Sequence, residues 1–164
     1  MKMPIISLLQ SLMQTAIKLE QILATNPNHT AYVPRDLNGE SWGFANVVHH
    51  LLLSEEKFLA RFKQIVGQQE ETLMPFTADD EPPHQITDPI STQIAQFAIA
   101  RTQTISYLRQ LPPEEWQKEM YHPDYGQADL HFHVQNMFAH DREHINQMQK
   151  IADRYQILDV TPTP

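Results

Sequence analysis

The chemistry in this sequence is concentrated in its histidines. There are nine in 164 residues, with no cysteine, and most fall in two places: His49 and His50, then His131, His133, His140 and His144. His140 and His144 stand four apart. On a helix that spacing sets two imidazoles on one face, a turn apart, where both can offer a nitrogen to one cation. A catalytic ion commonly takes three protein ligands and keeps further positions for water and substrate, so a third must come from elsewhere. The neighbouring pair His49 and His50 is the candidate source. Without cysteine the chain has no thiolate ligand, no disulfide and no catalytic thiol of its own.

Helices must position these residues. The first periodic segment runs from Pro4 to Ala24, with Ile5, Leu9, Leu12, Met13, Ala16 and Leu23 on one side and Pro4 in the first turn. Turn-forming residues follow from Asn26, ending at Ser41 as the expected N-cap of a second helix over Trp42 to Val66. That helix carries an apolar stripe of Phe44, Val47, Val48, Leu51, Phe58, Phe62 and Ile65, with His50 at one margin, and Gly67 is its expected stop. Residues 68–88 are rich in proline and charge and read as a long loop. A third helix follows Asp88 and Pro89, with Ile90, Ile94, Phe97, Ala98, Ile105 and Leu108 as its stripe, and ends before Pro112 and Pro113. Residues 111–127 read as loop, and the fourth helix is expected from Asp129 to Tyr155.

Helices of this kind, with no evident alternating strand pattern, predict an all-α four-helix bundle with long crossover loops, formed by one domain over residues 1–164. Apolar residues make up 41% and charged residues 20% of the chain, enough to bury a core without the composition of disorder. The net charge of −8 leaves no basic surface for counterion-release binding, which argues against nucleic acid. At the amino end, Gln10, Gln14 and Lys18 interrupt the apolar run at helical spacing, so it reads as an amphipathic helix and not as a leader. No apolar stretch approaches the roughly 18 residues of a membrane span. A cytoplasmic location is therefore expected.

Two charges fall inside apolar stripes: Glu55 on the second helix and Arg101 on the third. A buried charge needs a partner, and these two are predicted to pair. On the fourth helix Gln147 projects on the histidine side, where it can hydrogen-bond a ligand or substrate. Asp141 and Glu143 point away, toward solvent or neighbouring helices, and Met137, Met148 and Ile151 are core. His131 and His133 are expected where the fourth helix begins or at a pocket rim, with His133 on the side of His140. His29, His84 and His122 fall in predicted loops without an assigned role.

The segment from Trp42 through His49, His50 and Leu51 to Ser54 and Glu55 resembles the second-helix signature of the DinB-like, or YfiT-like, family, a tryptophan followed by a histidine–leucine pair and then an acidic residue. Aligned on Trp42 and Leu51, the resemblance selects His50. His140, Asp141, His144 and Gln147 match every fixed position of that family's last-helix pattern, H-D-x-x-H-x-x-Q. Tyr121, His122, Pro123 and Gly126 match a recurrent loop more loosely. The sequence departs from the family at Gly43 and Asn46, where serine and glutamate are usual. Asn146 stands where related iron-dependent sulfoxide synthases carry a glutamate, which disfavours their activity.

The resemblance implies a four-helix bundle, often a homodimer, whose His50, His140 and His144 bind one divalent ion, with zinc or nickel favoured over iron or manganese. An open three-histidine site suits activation of water or of a low-molecular-weight thiol cosubstrate against a small-molecule electrophile, as a hydrolase or a thiol S-transferase. The competing expectation is a non-catalytic stress protein that binds the metal or a small ligand. Residues 26–41 and 68–88 are expected to shape the pocket mouth.

Overall fold

Apolar positions three and four apart give each helix one face that must be covered, and four such faces close on one another. The structure, a computed structural model, describes residues 2–28, 42–68, 72–75 and 88–160, with side chains through Tyr155. Its helices are α1 (Ile5–Ala24), α2 (Phe44–Gly67), α3 (Ile90–Arg109) and α4 (Leu130–Val160). Both α1 and α2 pack on α3 and on α4, so the order around the bundle is α1, α3, α2, α4. Of the helices consecutive in sequence, α1 with α2 and α3 with α4 lie across the diagonal, whereas α2 and α3 are neighbours. The connection from α3 to α4 therefore spans an end of the bundle.

The helix boundaries depart from the sequence reading in instructive ways. The second helix begins at Phe44, with Gly43 at its N-cap and the Gly43 N–H donating to Asn46 Oδ1 at 3.1 Å. The expected cap, Ser41, lies outside the described residues. At the other end Gly67 is still helical, and the left-handed residue is Gln68, at φ 50°. Its side-chain amide donates to the Glu119 carbonyl at 3.0 Å, which ties that turn to the segment below. The fourth helix runs to Val160, five residues past the predicted end, and starts where expected because Asp129 Oδ1 accepts the Phe132 N–H at 2.9 Å.

The largest correction lies between α3 and α4. What reads as plain loop contains a short 3-10 turn at Glu115–Gln117 and an antiparallel hairpin of β1 (Glu119–His122) and β2 (Gly126–Asp129), in register Glu119↔Asp129 to His122↔Gly126. Met120 and His122 point inward and Glu119 and Tyr121 outward, the two-residue alternation of a strand. The turn closes with the Tyr125 N–H donating to the His122 carbonyl at 3.2 Å. Pro123 sits at the second turn position, and Gly126 at φ 69° takes the left-handed conformation that ends such three-residue loops. Thr72 pairs with Tyr121 on the hairpin's outer edge, so part of the segment predicted as long loop is fastened there.

The core divides into two apolar clusters. One holds Leu8, Leu12, Phe58, Phe62, Ile105, Leu130 and Met137; the other holds Leu19, Trp42, Val48, Leu51, Phe97, Met148 and Ile151. Between them every helix contributes polar residues: Thr15, Glu55, Arg101 and Asp141, each no more than 3% exposed. The predicted Arg101–Glu55 pair forms, with Nε donating to Glu55 Oε2 at 2.9 Å. Arg101 also donates to both oxygens of Asp141, at 2.6 and 3.1 Å, and to the Leu12 carbonyl at 2.9 Å, while the Thr15 hydroxyl donates to Asp141 at 2.7 Å. One guanidinium thus bonds to all three other helices, and its face lies over the Phe97 ring at 4.9 Å. Asp141 is the side of the predicted "solvent or neighbouring helices" alternative that faces the bundle. Burial works against the charged guanidinium, but Asp141 and Glu55 outweigh it and raise its pKa, while burial pushes that of Glu55 up against the pull of Arg101.

Removing the cation alone would leave two carboxylates buried beside each other. Arg101→Met is therefore expected to lower the unfolding free energy by about 3–5 kcal/mol in urea titration at pH 7. Arg109→Met, at an exposed position, is expected to change it by less than about 1 kcal/mol. Equal, small losses in both would show that the buried network does not hold the bundle.

Candidate functional site

The polar layer that fixes α2 against α4 also fixes their histidines. His50 precedes Glu55 by little more than a turn of α2, and His140 directly precedes Asp141 on α4. The structure brings together the three residues chosen from the sequence: one ring nitrogen from each of His50, His140 and His144 lies within 4.8 Å of the other two. His50 Nε2 and His140 Nε2 are 3.1 Å apart. Nitrogens bound to one tetrahedral ion at ~2.0–2.1 Å stand ~3.3 Å from each other, so His50 and His140 are spaced for a shared cation and His144 stands within reach of it. All three rings are partly buried, and no fourth histidine, aspartate or glutamate joins the group among the described residues.

Hydrogen bonding sets at least one ligand's tautomer. His144 Nδ1 lies 2.8 Å from Gln147 Oε1, an atom that only accepts, so Nδ1 carries the hydrogen and Nε2 presents its lone pair to the cluster. Gln147 thus works on the histidine side of α4, as the helical wheel predicts. Burial, and then the neighbouring His50, lower the pKa of His144, which favours the neutral, ligating form. Ser54 Oγ stands 3.5 Å from His50 Nε2.

Aromatic rings close the site from two sides. The indole of Trp42 lies parallel to the His144 ring, 10° between planes with centroids 6.3 Å apart, and 5.4 Å from that of His50. Phe58 meets His140 edge-on at 5.5 Å. The tryptophan that marked the second-helix signature is a wall of the site, a role its position in the sequence does not reveal.

A cavity of about 260 Å³ opens beside His140, lined by Phe58, Arg61, His122, Tyr125, Asn136 and Glu143 among others. It is smaller than the roughly 300–1,000 Å³ of drug-sized ligand pockets, so it suits a small molecule. The sequence reading missed Arg61 and left His122 unassigned. For Arg61 a signal existed: a second charge on the apolar side of α2, between Phe58 and Ile65, is 5% exposed. For His122 the signal was the strand alternation, which carries it inward to 2% exposure.

His131 and His133 do not join the three histidines. His131 Nε2 lies 2.7 Å from the Met3 carbonyl and ties the start of α4 to the amino end. His133 is completely buried, 6.0 Å from the His122 ring between centroids, and neither of its ring nitrogens has a hydrogen-bond partner among the described residues. Burial, then the charge of Arg61 and His122, push its pKa down from 6.5 to about 4. His49 stays outside the cluster, while His29 and His84, and most of residues 26–41 and 68–88, lie outside the described residues.

The profile of the DinB superfamily matches residues 12–148 of the chain. A solved structure, YfiT from Bacillus subtilis, described as a probable metal-dependent hydrolase with an unusual four-helix bundle topology, superposes with a TM-score of 0.73 at 23% identity over 92% of this chain and 86% of its own. At that identity it shows a shared four-helix-bundle fold. No curated protein sequence matches the chain. None of the described helices is long and apolar enough to cross a membrane.

A buried base with a depressed pKa makes stability depend on pH with a definite sign. Between pH 6.5 and about 4 the unfolded chain takes up a proton that folded His133 refuses, so stability falls as pH drops through that window. His133→Leu is expected to match or exceed the parent at pH 7, because it removes polar atoms without partners, and to lose less stability between pH 7 and 5. Parallel pH profiles for both proteins, by thermal denaturation, would contradict this.

Proposed function

The chain belongs to the DinB superfamily, and from that premise and its three converging imidazoles we propose that it is a metal-dependent hydrolase of small amides or esters. The observation that carries the proposal is the arrangement of His50, His140 and His144: three nitrogen donors on two helices and an adjoining small cavity. Three neutral imidazoles suit zinc or nickel, and also iron or manganese, with positions left for substrate and water. A divalent ion held there supplies Lewis acidity, lowering the pKa of water and polarising a carbonyl.

The chain's own groups supply the rest. Gln147 holds His144 in the ligating tautomer, and Trp42 and Phe58 shield the rings from bulk water. Asn136 lines the cavity with an amide that donates and accepts, and the exposed Glu143 lines it with a carboxylate that can take a proton from an incoming water. The description of YfiT as a probable metal-dependent hydrolase supports the same class of reaction. Transfer to a low-molecular-weight thiol uses the same activation with a different nucleophile, and a ligand-binding protein uses the same pocket without turnover.

Protein loaded in turn with zinc, nickel, iron and manganese is to be assayed on a panel of small amides and esters, with and without added thiol. Turnover without thiol is expected for at least one metal. Chelation is expected to lower it by at least ~100-fold and metal to restore it, while His140→Ala stays inactive after reloading. Turnover only with thiol would replace hydrolysis by S-transfer. Full metal occupancy without turnover in either condition would favour the binding protein.

A further inference from the structure

The hairpin between α3 and α4 carries a histidine that the three-histidine cluster does not use. His122 is fixed at the inward end of β1, and its Nδ1 accepts the backbone N–H of Asp124 at 3.1 Å. In the neutral ring the hydrogen is then on Nε2. No protein group among the described residues accepts that Nε2 hydrogen, and the ring lines the cavity beside His140. The same cavity is lined by Arg61, whose guanidinium is braced by a hydrogen bond to the Met74 carbonyl at 2.8 Å. A buried guanidinium and a pre-oriented N–H on one wall, with a ligating histidine on another, make an uneven pocket. We infer that Arg61 and the Nε2–H of His122 form a carboxylate subsite, which holds an acidic group of the substrate while the bond to be cleaved lies at His50, His140 and His144.

The substrate class thus deepens the hydrolase reading and rests on it. Charge selects carboxylate over phosphate. Burial and the proximity of Arg61 keep His122 toward its neutral form against the pull of Asp124, so the wall offers a guanidinium and a neutral N–H donor. That matches a monoanion with two oxygens better than a phosphate monoester, which brings roughly −1.5 to −2 charge and three acceptor oxygens. Among the described residues two carboxylates stand nearby, that of Asp124 at 3.8 Å from His122 Nδ1. Asp124 has a side chain 62% exposed and does not line the cavity, and Glu143, which lines it, is an exposed residue. Both favour entry with the acidic group leading inward toward Arg61.

The test uses the full-length, zinc-loaded protein labelled with ¹⁵N-histidine. Acetate, acetamide and inorganic phosphate are titrated separately while the ring signal of His122 is followed. Acetate is expected to shift that signal saturably and to bind at least about tenfold tighter than acetamide or phosphate, the increment of a hydrogen bond to a charged group. His122→Phe, which keeps the aromatic packing on Tyr125, is expected to weaken acetate about tenfold at unchanged zinc affinity. His122→Gln, which keeps an N–H donor, is expected to recover most of the loss. Equal binding of acetate and acetamide, tighter binding of phosphate, or unchanged acetate affinity in His122→Phe would overturn the subsite. In hydrolysis of an N-acylglycine and its methylamide, His122→Phe is expected to raise KM for the acid alone. Absence of hydrolysis with His122-dependent acetate binding intact would overturn the hydrolase reading and leave the subsite standing.

Discussion

A single buried guanidinium holds this bundle in register. Arg101 on α3 reaches Glu55 on α2, Asp141 on α4 and the Leu12 carbonyl on α1, all within 3.1 Å. Apolar contacts alone are forgiving of small slides between helices, because one aliphatic side chain replaces another at little cost. Fixed hydrogen bonds to a buried charge are not. Sliding α4 past α2 by one turn, about 5.4 Å, would separate Asp141 from Arg101 and strand a carboxylate in the core. The apolar clusters on either side supply the driving force of folding, and the charged layer between them chooses the alignment.

The three histidines inherit that alignment. His140 is the neighbour of Asp141, and His50 lies one turn from Ser54 and Glu55, so the bonds that fix the register of α2 and α4 set the distance between their imidazoles. Gln147 and Trp42 then orient the rings within it. The ion network and the three histidines thus occupy one layer of the bundle, the network toward α1 and α3 and the histidines between α2 and α4. The hairpin completes the arrangement by carrying His122 to the cavity, and the residues that brace it, Gln68 and Leu73, bond to its backbone from the end of α2 and the segment beyond.

Much of this could be read from residue types and spacing. Four amphipathic periods gave four helices, and His50, His140 and His144 were identifiable from spacing together with family resemblance. Glu55 and Arg101 announced their pairing by standing in apolar stripes. Asp141 did not, because an acidic residue next to a histidine is equally at home on a solvated face, and only the path of α3 between the other helices decides which way it turns. The hairpin was hidden by its length: four-residue strands offer too few alternations to register against proline- and charge-rich surroundings, although Pro123 and Gly126 carry its turn chemistry. Arg61 could have been noticed on the logic that exposed Glu55. The diagonal placement of α1 with α2 and of α3 with α4 depends on which faces meet, and only the length of the linkers pointed to such a crossing.

The proposed metal site requires that His50, His140 and His144 share one ion with positions left open. Anomalous diffraction from crystals of zinc-loaded protein, recorded above and below the zinc edge, tests it most directly. One strong peak per chain is expected at ~2.0–2.1 Å from a ring nitrogen of each of the three histidines, Nε2 in the case of His144, with no fourth protein ligand. A peak elsewhere, a fourth side chain closing the coordination sphere, or no peak at full zinc loading would contradict it.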